Sequence, residues 1–237
     1  MTERPNPGEV RVLFVHVPKT GGVTLIRALE KVVGKDKTIR FARGGKEQKE
    51  EYLALPDDKL RAFHFIAGHF SLAFFLRKPI SDYKIVTLVR EPVDRELSAY
   101  YYMKISEKHP DHQLVRSMDL PAYLDYRKNQ NNSRNPQCRY ISGTDSFEAA
   151  RKLIDETYFL AAPTEFIQPF YEELTKRLGL ERVQLGRENV TQSRLAVHEV
   201  HPNIRAGFEA FMEDDLALYG YVKQKFAREI VGGLAAT

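Results

Sequence analysis

Three short apolar runs in this chain each end in a cationic or titratable side chain. RVLFVHVP leads into Lys19, FHFIAG into His69 and YKIVTLV into Arg90. An ammonium, an imidazole and a guanidinium gathered at strand ends can hold an anion and move a proton. Around the first of them the chain reads Lys19-Thr20-Gly21-Gly22-Val23-Thr24. Two glycines let the backbone pass close to a ligand with its N–H groups inward, and a helix N-terminus behind them adds partial positive charge. Lys19 contributes a full charge, Thr20 and Thr24 offer hydroxyl donors, and Val23 offers its backbone N–H. The stretch is a candidate anion cradle, although Gly-Gly beside a solvated lysine also makes an ordinary turn.

The nucleoside-triphosphate loop G-x-x-x-x-G-K-[ST] does not fit, because here the lysine precedes the glycines. The run YKIVTLV ends in Arg90, where a magnesium-binding aspartate would be wanted. A guanidinium reads an anion with its planar fork, so the pattern points to a nucleotide site without a metal. Ser98 lies eight residues beyond Arg90, two turns into a helix that Pro92 opens. Together they are candidates for a terminal phosphate. Separately, Arg90 could cap local carbonyls and Ser98 could bond back within its helix.

Group transfer to a hydroxyl needs a base, and seven histidines compete for that role. His109, His112, His198 and His201 sit in polar segments and read as solvated. His64 takes the opposite strand face from His69, since strand side chains alternate. His16 precedes the cradle and could touch a ligand there, but it stands short of open space. His69 follows Gly68 at a strand end and faces the crevice. It is the candidate base, with a carboxylate from residues 44–51 as the alternative.

Strands and helices must alternate to place these groups. Residues 12–17 form a strand apolar enough for burial on both faces. The next helix puts Leu25, Ile26, Leu29, Val32 and Val33 on one side and Arg27, Glu30 and Lys31 on the other. Residues 34–51 read as a polar surface connection with a brief strand at Thr38–Phe41. Residues 63–69, 83–90 and 158–162 read as strands, and 106–118 as a loop. Helices are expected at 120–127, 135–142, 147–156 and 165–178, then an irregular stretch over 180–203. A long helix follows over 212–230, with Leu216, Tyr219, Val222, Phe226 and Ile230 buried. The expected fold class is α/β, a short central parallel sheet with helices on both faces. Ligands in such sheets bind beyond the carboxyl ends of the strands.

HVPKTGGVTL, AGHF and REPVDRELSAYYY, in that order, resemble the carbohydrate-type sulfotransferase family that includes the heparan-sulfate 2-O and 6-O enzymes and bacterial relatives. The family's Arg-x-Pro-x-x-Arg-x-x-Ser-x-Tyr motif is matched at Arg90, Pro92, Arg95, Ser98 and Tyr100. NPQCRYISG, YFLAAPTEFIQPFYEELTKRLGL, ENVTQSR and DDLALYGYVKQKF resemble later stretches, so the likeness covers about residues 12–226. Val23 departs from it, standing where the family usually has a threonine, and a membrane anchor of the Golgi type is not expected ahead of the motifs.

The resemblance implies a P-loop-like nucleotide-binding sulfotransferase fold, one domain over residues 11–230 behind a disordered 1–10. It implies 3′-phosphoadenosine 5′-phosphosulfate (PAPS) as donor and 3′,5′-ADP as product. Lys19, Thr20, Gly21, Gly22, Val23 and Thr24 would hold the 5′-phosphosulfate, and Arg90 and Ser98 the 3′-phosphate. Thr191 and Ser193, in a loop with Asn189, would close over the nucleotide. His69 would be the base and Lys19 would ease departure of the leaving oxygen. The implied acceptor is a hydroxyl of a carbohydrate or small metabolite. An ATP-dependent kinase and a non-catalytic polyanion-binding module are the alternatives.

The chain's 237 residues, 43% hydrophobic and 29% charged, suit one well-buried domain. A net charge of +4, from 36 basic and 32 acidic residues, accommodates anionic ligands. It falls short of the dense basic patches of a nucleic-acid binder. The apolar runs are strand-sized, well below the roughly 20 residues of a membrane span. The first ten residues carry no apolar signal segment. Cys138 is the only cysteine, so an intrachain disulfide is excluded and a cytoplasmic setting is expected.

Overall fold

The computed structural model describes residues 10–42, 44–186 and 194–234, with side chains as far as residue 230. The apolar runs become β1 (Val12–Val15), β2 (Thr38–Phe41), β3 (Phe65–Gly68), β4 (Lys84–Val89) and β5 (Leu160–Pro163). Between β1 and β2 lies α1 (Gly22–Val33), between β2 and β3 lie α2 (Lys46–Ala54) and α3 (Asp57–Ala62), and α4 (Leu72–Phe75) precedes β4. The long excursion from β4 to β5 holds α5 (Pro92–Ile105), α6 (His112–Val115), α7 (Leu120–Lys128), α8 (Pro136–Ser142) and α9 (Phe147–Glu156). After β5 come α10 (Ile167–Leu178), α11 (Pro202–Phe211) and α12 (Glu213–Leu234). Among the described residues no helix is long and apolar enough to cross a membrane.

The sheet runs β2-β3-β1-β4-β5 and every pairing is parallel. Val15 pairs with Gly68 on one side and Thr87 on the other, which brings the ends of β1, β3 and β4 level. All four residues of central β1 are fully buried. Val12 and Phe14 face Leu25 and Leu29 of α1 and Phe170 and Leu174 of α10. Leu13 and Val15 face the other layer, with Phe41, Phe75, Ile141 and Ile154. A separate helical cluster forms where α5, α6, α7 and α11 meet around Tyr100, Tyr123 and Phe208. From β1 the chain leaves toward β2, whereas from β4 it leaves toward β5. The crevice between the ends of β1 and β4 is therefore the switch point at which open α/β sheets take ligands.

Four expectations change. Residues 34–51 are not mainly a connection: α2 occupies 46–54, held by fully buried Tyr52, which donates to the Phe75 carbonyl at 2.8 Å. The stretch 106–118 contains α6, and His112 is buried there with Nδ1 2.9 Å from the Met103 carbonyl. α11 starts at Pro202, whose ring suits a first helical turn, and His201 caps it. The inward face of α12 runs Asp215, Leu218, Val222 and Phe226, while Leu216, Tyr219 and Ile230 are only half-buried. The stripe is turned because a carboxylate belongs to it.

That carboxylate caps α8. Asp215 is fully buried and accepts the N–H groups of Gln137 (3.0 Å) and Cys138 (2.8 Å). Burial pushes its pKa up to about 6, against the pull of those two donors. Asp215→Ala orphans both N–H groups, each costing about 1–3 kcal/mol. The expected result is a lower urea midpoint with an unchanged slope, read as a loss of about 2–6 kcal/mol.

Candidate active site

The reversal between β1 and α1 places its backbone in an unusual way. Lys19 (φ 71°) and Gly21 (φ 73°) both adopt left-handed conformations. Glycine does so freely, whereas lysine at such a φ costs about 1–2 kcal/mol. The surroundings hold it there. Six consecutive carbonyls, from Val15 to Thr20, each accept a hydrogen bond from a side chain. Thr87 donates to Val15 at 2.8 Å, His69 Nδ1 to His16 at 2.8 Å and Thr20 to Val17 at 2.8 Å. Arg95 Nη1 reaches Pro18 at 3.5 Å, the longest of the set. Arg90 Nη1 donates to Lys19 at 3.0 Å, and Thr164 to Thr20 at 2.8 Å.

With five of these carbonyls held by surrounding elements and Val17 held by Thr20 of the turn itself, the turn leaves donors for a ligand. Gly22 and Val23 open α1, and their N–H groups have no acceptor within the helix. The Thr24 N–H is taken by the Gly21 carbonyl at 3.2 Å. Thr20 is fully buried with its hydroxyl on Val17. Its hydroxyl shapes the turn and does not line a cradle, contrary to the expectation from sequence.

Positive charge collects behind these donors. α5 begins where Glu91 caps the N–H groups of Val93 and Asp94, and Pro92 fixes the first turn. This start aims Arg90 back at the cradle. Arg90 Nε donates to Asp94 at 2.6 Å, and Arg194 holds the other oxygen of the same carboxylate at 2.5 Å. The Gln137 side-chain amide exchanges two 2.8 Å hydrogen bonds with the Arg90 backbone. Arg95 is buried against Glu96, which also meets Arg127 and Tyr123. Burial, then Arg90, Arg95 and Arg194, lowers the Lys19 pKa to about 8. Its ammonium lies 4.1 Å from the ring centroid of Tyr102, a cation–π contact. Ser98 is buried two turns along α5.

His69 stands at the end of β3, on the other side of β1 from Arg90. Because Nδ1 faces a carbonyl it must carry the proton, which leaves the lone pair on Nε2. Burial holds the imidazole below its usual 6.5, partly offset by the bond to the His16 carbonyl. The ring is therefore neutral and basic at Nε2 near pH 7. The carboxylates of residues 44–51, the expected alternative, are Glu47, Glu50 and Glu51, all on α2 and all exposed.

Beside Arg90 a cavity of about 430 Å³ opens between the ends of β4 and β5, lined by Glu91, Asp94, Thr164, Glu165 and Tyr219 among others. The structure thus gathers Lys19, Gly21, Gly22, Val23, Thr24 and Arg90 around one turn, with His69 bonded to it, while Ser98 is buried on α5. Thr191 and Ser193, together with Asn189, lie outside the described residues. Thr164 and Arg194 were not foreseen. Thr164 was findable, since it follows a strand end as Lys19, His69 and Arg90 do. Arg194 closes the ENVTQSR stretch but carries no spacing signal of its own.

The sulfotransferase family model matches residues 7–157, which include Lys19, His69, Arg90 and Ser98. Heparan sulfate 2-O-sulfotransferase hst-2 of Caenorhabditis elegans is 24% identical over 110 residues, 41% of this chain and 33% of that protein. The match therefore spans about a third of the curated relative's length. The crystal structure of mouse sulfotransferase SULT7A1 complexed with PAP aligns with a TM-score of 0.45 at 15% identity, covering 85% of this chain and 64% of that one. The match over well more than half of the chain, which takes in the turn and the three strand ends, means that this chain belongs to the sulfotransferase family.

Proposed function

We propose that this chain transfers a sulfuryl group from PAPS to a hydroxyl of a carbohydrate or small metabolite, releasing 3′,5′-ADP. The observation that carries the reading is the row of six held carbonyls. It commits one side of the turn to the protein and leaves N–H groups and Lys19 for an anion. The phosphosulfate suits that side of the turn. The 3′-phosphate falls to Arg90, steadied through Asp94 by Arg194, with Ser98 further along α5. The nucleoside then extends into the cavity beside Tyr219 and Glu165.

In the transfer step the acceptor oxygen forms a new bond to sulfur as the bridging sulfur–oxygen bond breaks. His69 Nε2 takes the hydroxyl proton. Lys19 meets the charge that grows on the departing phosphate oxygen. The C. elegans relative, a heparan sulfate 2-O-sulfotransferase, favours a sugar hydroxyl as acceptor, and neither relative favours the kinase or polyanion readings.

Calorimetry with 3′,5′-ADP and 5′-ADP tests the nucleotide reading. A phosphate held by charged hydrogen bonds contributes about 1.5–3 kcal/mol, so 3′,5′-ADP should bind roughly 10- to 100-fold more tightly. Equal affinities would remove the role of Arg90 and with it the assignment of the donor.

A further inference from the structure

His16 is buried, titratable and without a part in the transfer step as described. It is nevertheless the residue His69 touches most closely. The two rings lie 4.3 Å apart at a 34° tilt, and His69 Nδ1 is 2.8 Å from the His16 carbonyl. Ring and carbonyl of one residue thus meet two different features of the same imidazole. Behind His16, Phe14 stacks nearly parallel at 5.0 Å and 18°. At its edge lies Gly22, where an added Cβ would run into His16 Cδ2 and Nε2 and into Phe14 Cε1. The ring is clamped between the last residues of β1 and the first residue of α1, with no freedom to turn away.

We propose that His16 is the positioning residue for the base: its ring holds the His69 plane, and only in that plane does Nδ1 meet the His16 carbonyl that fixes the tautomer, so that Nε2 is presented to the acceptor. This rests on the reading of His69 as base. A neutral His16 suits the task, because a second cation at 4.3 Å would oppose the charge His69 gains on taking a proton. Burial, then His69, Arg40 and Lys19, keep His16 well below 6.5. Arg40 comes from β2, where it pairs with Glu30 of α1 at 3.6 Å, and Lys19 comes from the turn. The ring is also small enough for Gly22 to pack on it, which connects the cradle's first helical residue to the base through one side chain.

Nitrogen-15 NMR of the histidine side chains tests this on the protein without an acceptor. In the wild type, His69 should show one neutral tautomer, Nδ1–H. In His16→Leu, which keeps the carbonyl but loses the ring, the stack that pins the imidazole is gone. The Nε2–H form should then rise from below ~10% to ~30–50%. His16→Phe retains a flat ring and should return His69 toward a single tautomer. Affinity for 3′,5′-ADP should change by less than about twofold in both variants, since neither removes a cradle N–H or a cation.

An Nε2–H tautomer in the wild type would overturn the proposal outright, whatever the variants do. So would a single unchanged tautomer in His16→Leu, or a tenfold loss of nucleotide affinity with the tautomer intact, which would make His16 a ligand contact. Should His16→Leu fail to fold, the wild-type spectrum and His16→Phe decide between these outcomes. Weak 3′,5′-ADP binding by the wild type itself would instead count against the nucleotide reading and leave the His16–His69 geometry standing.

Discussion

His69→Ala is expected to lower kcat by about 100- to 10,000-fold on any acceptor that the wild type sulfates, the range over which a positioned general base acts. The affinity for 3′,5′-ADP should fall far less, by about tenfold at most, because the variant removes from the held turn only the Nδ1 bond to the His16 carbonyl. The pH profile carries the second half of the expectation. Burial favours the neutral imidazole, so its pKa lies below 6.5. The base is therefore present through neutrality, and activity falls only as pH drops below the ordinary histidine range. Lys19 and His16 are the titratable groups that face it, and both oppose its protonation or stay neutral. A His69→Ala enzyme that kept its rate, or one that kept the wild-type acid limb, would move the base elsewhere.

The second large effect belongs to Lys19. Lys19→Ala should reduce kcat by about 100- to 1,000-fold, the range seen when one preorganised group at a developing oxyanion is removed. Donor affinity should fall as well, since the same ammonium holds the ground state. The direction of its pH dependence follows from its neighbours. In the free protein burial and three arginines bring Lys19 to about 8. A polyanionic nucleotide reverses that balance and draws the ammonium form back. Binding near pH 8 should therefore take up a fraction of a proton, and affinity for 3′,5′-ADP should weaken as pH rises above about 8. Calorimetry in two buffers of different ionisation enthalpy reads the uptake directly. Loss of the uptake in Lys19→Ala assigns it, and uptake that persists would point to another group.

Much of this site could be read along the chain. β1, β3 and β4 are near-continuous apolar runs, and the residues at their ends carry the charge, so the strand-end rule located Lys19, His69 and Arg90 without tertiary information. The roles within the turn were less accessible. Nothing local distinguishes a hydroxyl that faces a ligand from one that bonds three residues back, and Thr20 does the latter. Arg90 was read both as a phosphate fork and as a cap for local carbonyls. The structure shows neither in that form: Nη1 donates to the Lys19 carbonyl, 71 residues away in the chain, and the side chain lines the cavity. α2 was missed because only Tyr52 along it is fully buried, which leaves almost no periodic signal. The face of α12 was misjudged for the opposite reason: Asp215 is buried as a cap, and no hydrophobicity pattern places a carboxylate in a core.

The held carbonyls also bear on when the site comes into being. The donors to Pro18, Lys19 and Thr20 come from 77, 71 and 144 residues along the chain. Closing loops of that length is paid for in chain entropy and is slow compared with forming α1 or the β1 turn locally. Until α5 has docked and β5 has delivered Thr164, the turn is an unstrained stretch of Lys-Thr-Gly-Gly with its carbonyls free to rotate inward. On the proposed function, nucleotide affinity should therefore appear only in chains whose β5 is in place. A fragment ending before Thr164 would carry the motif and lack the grip.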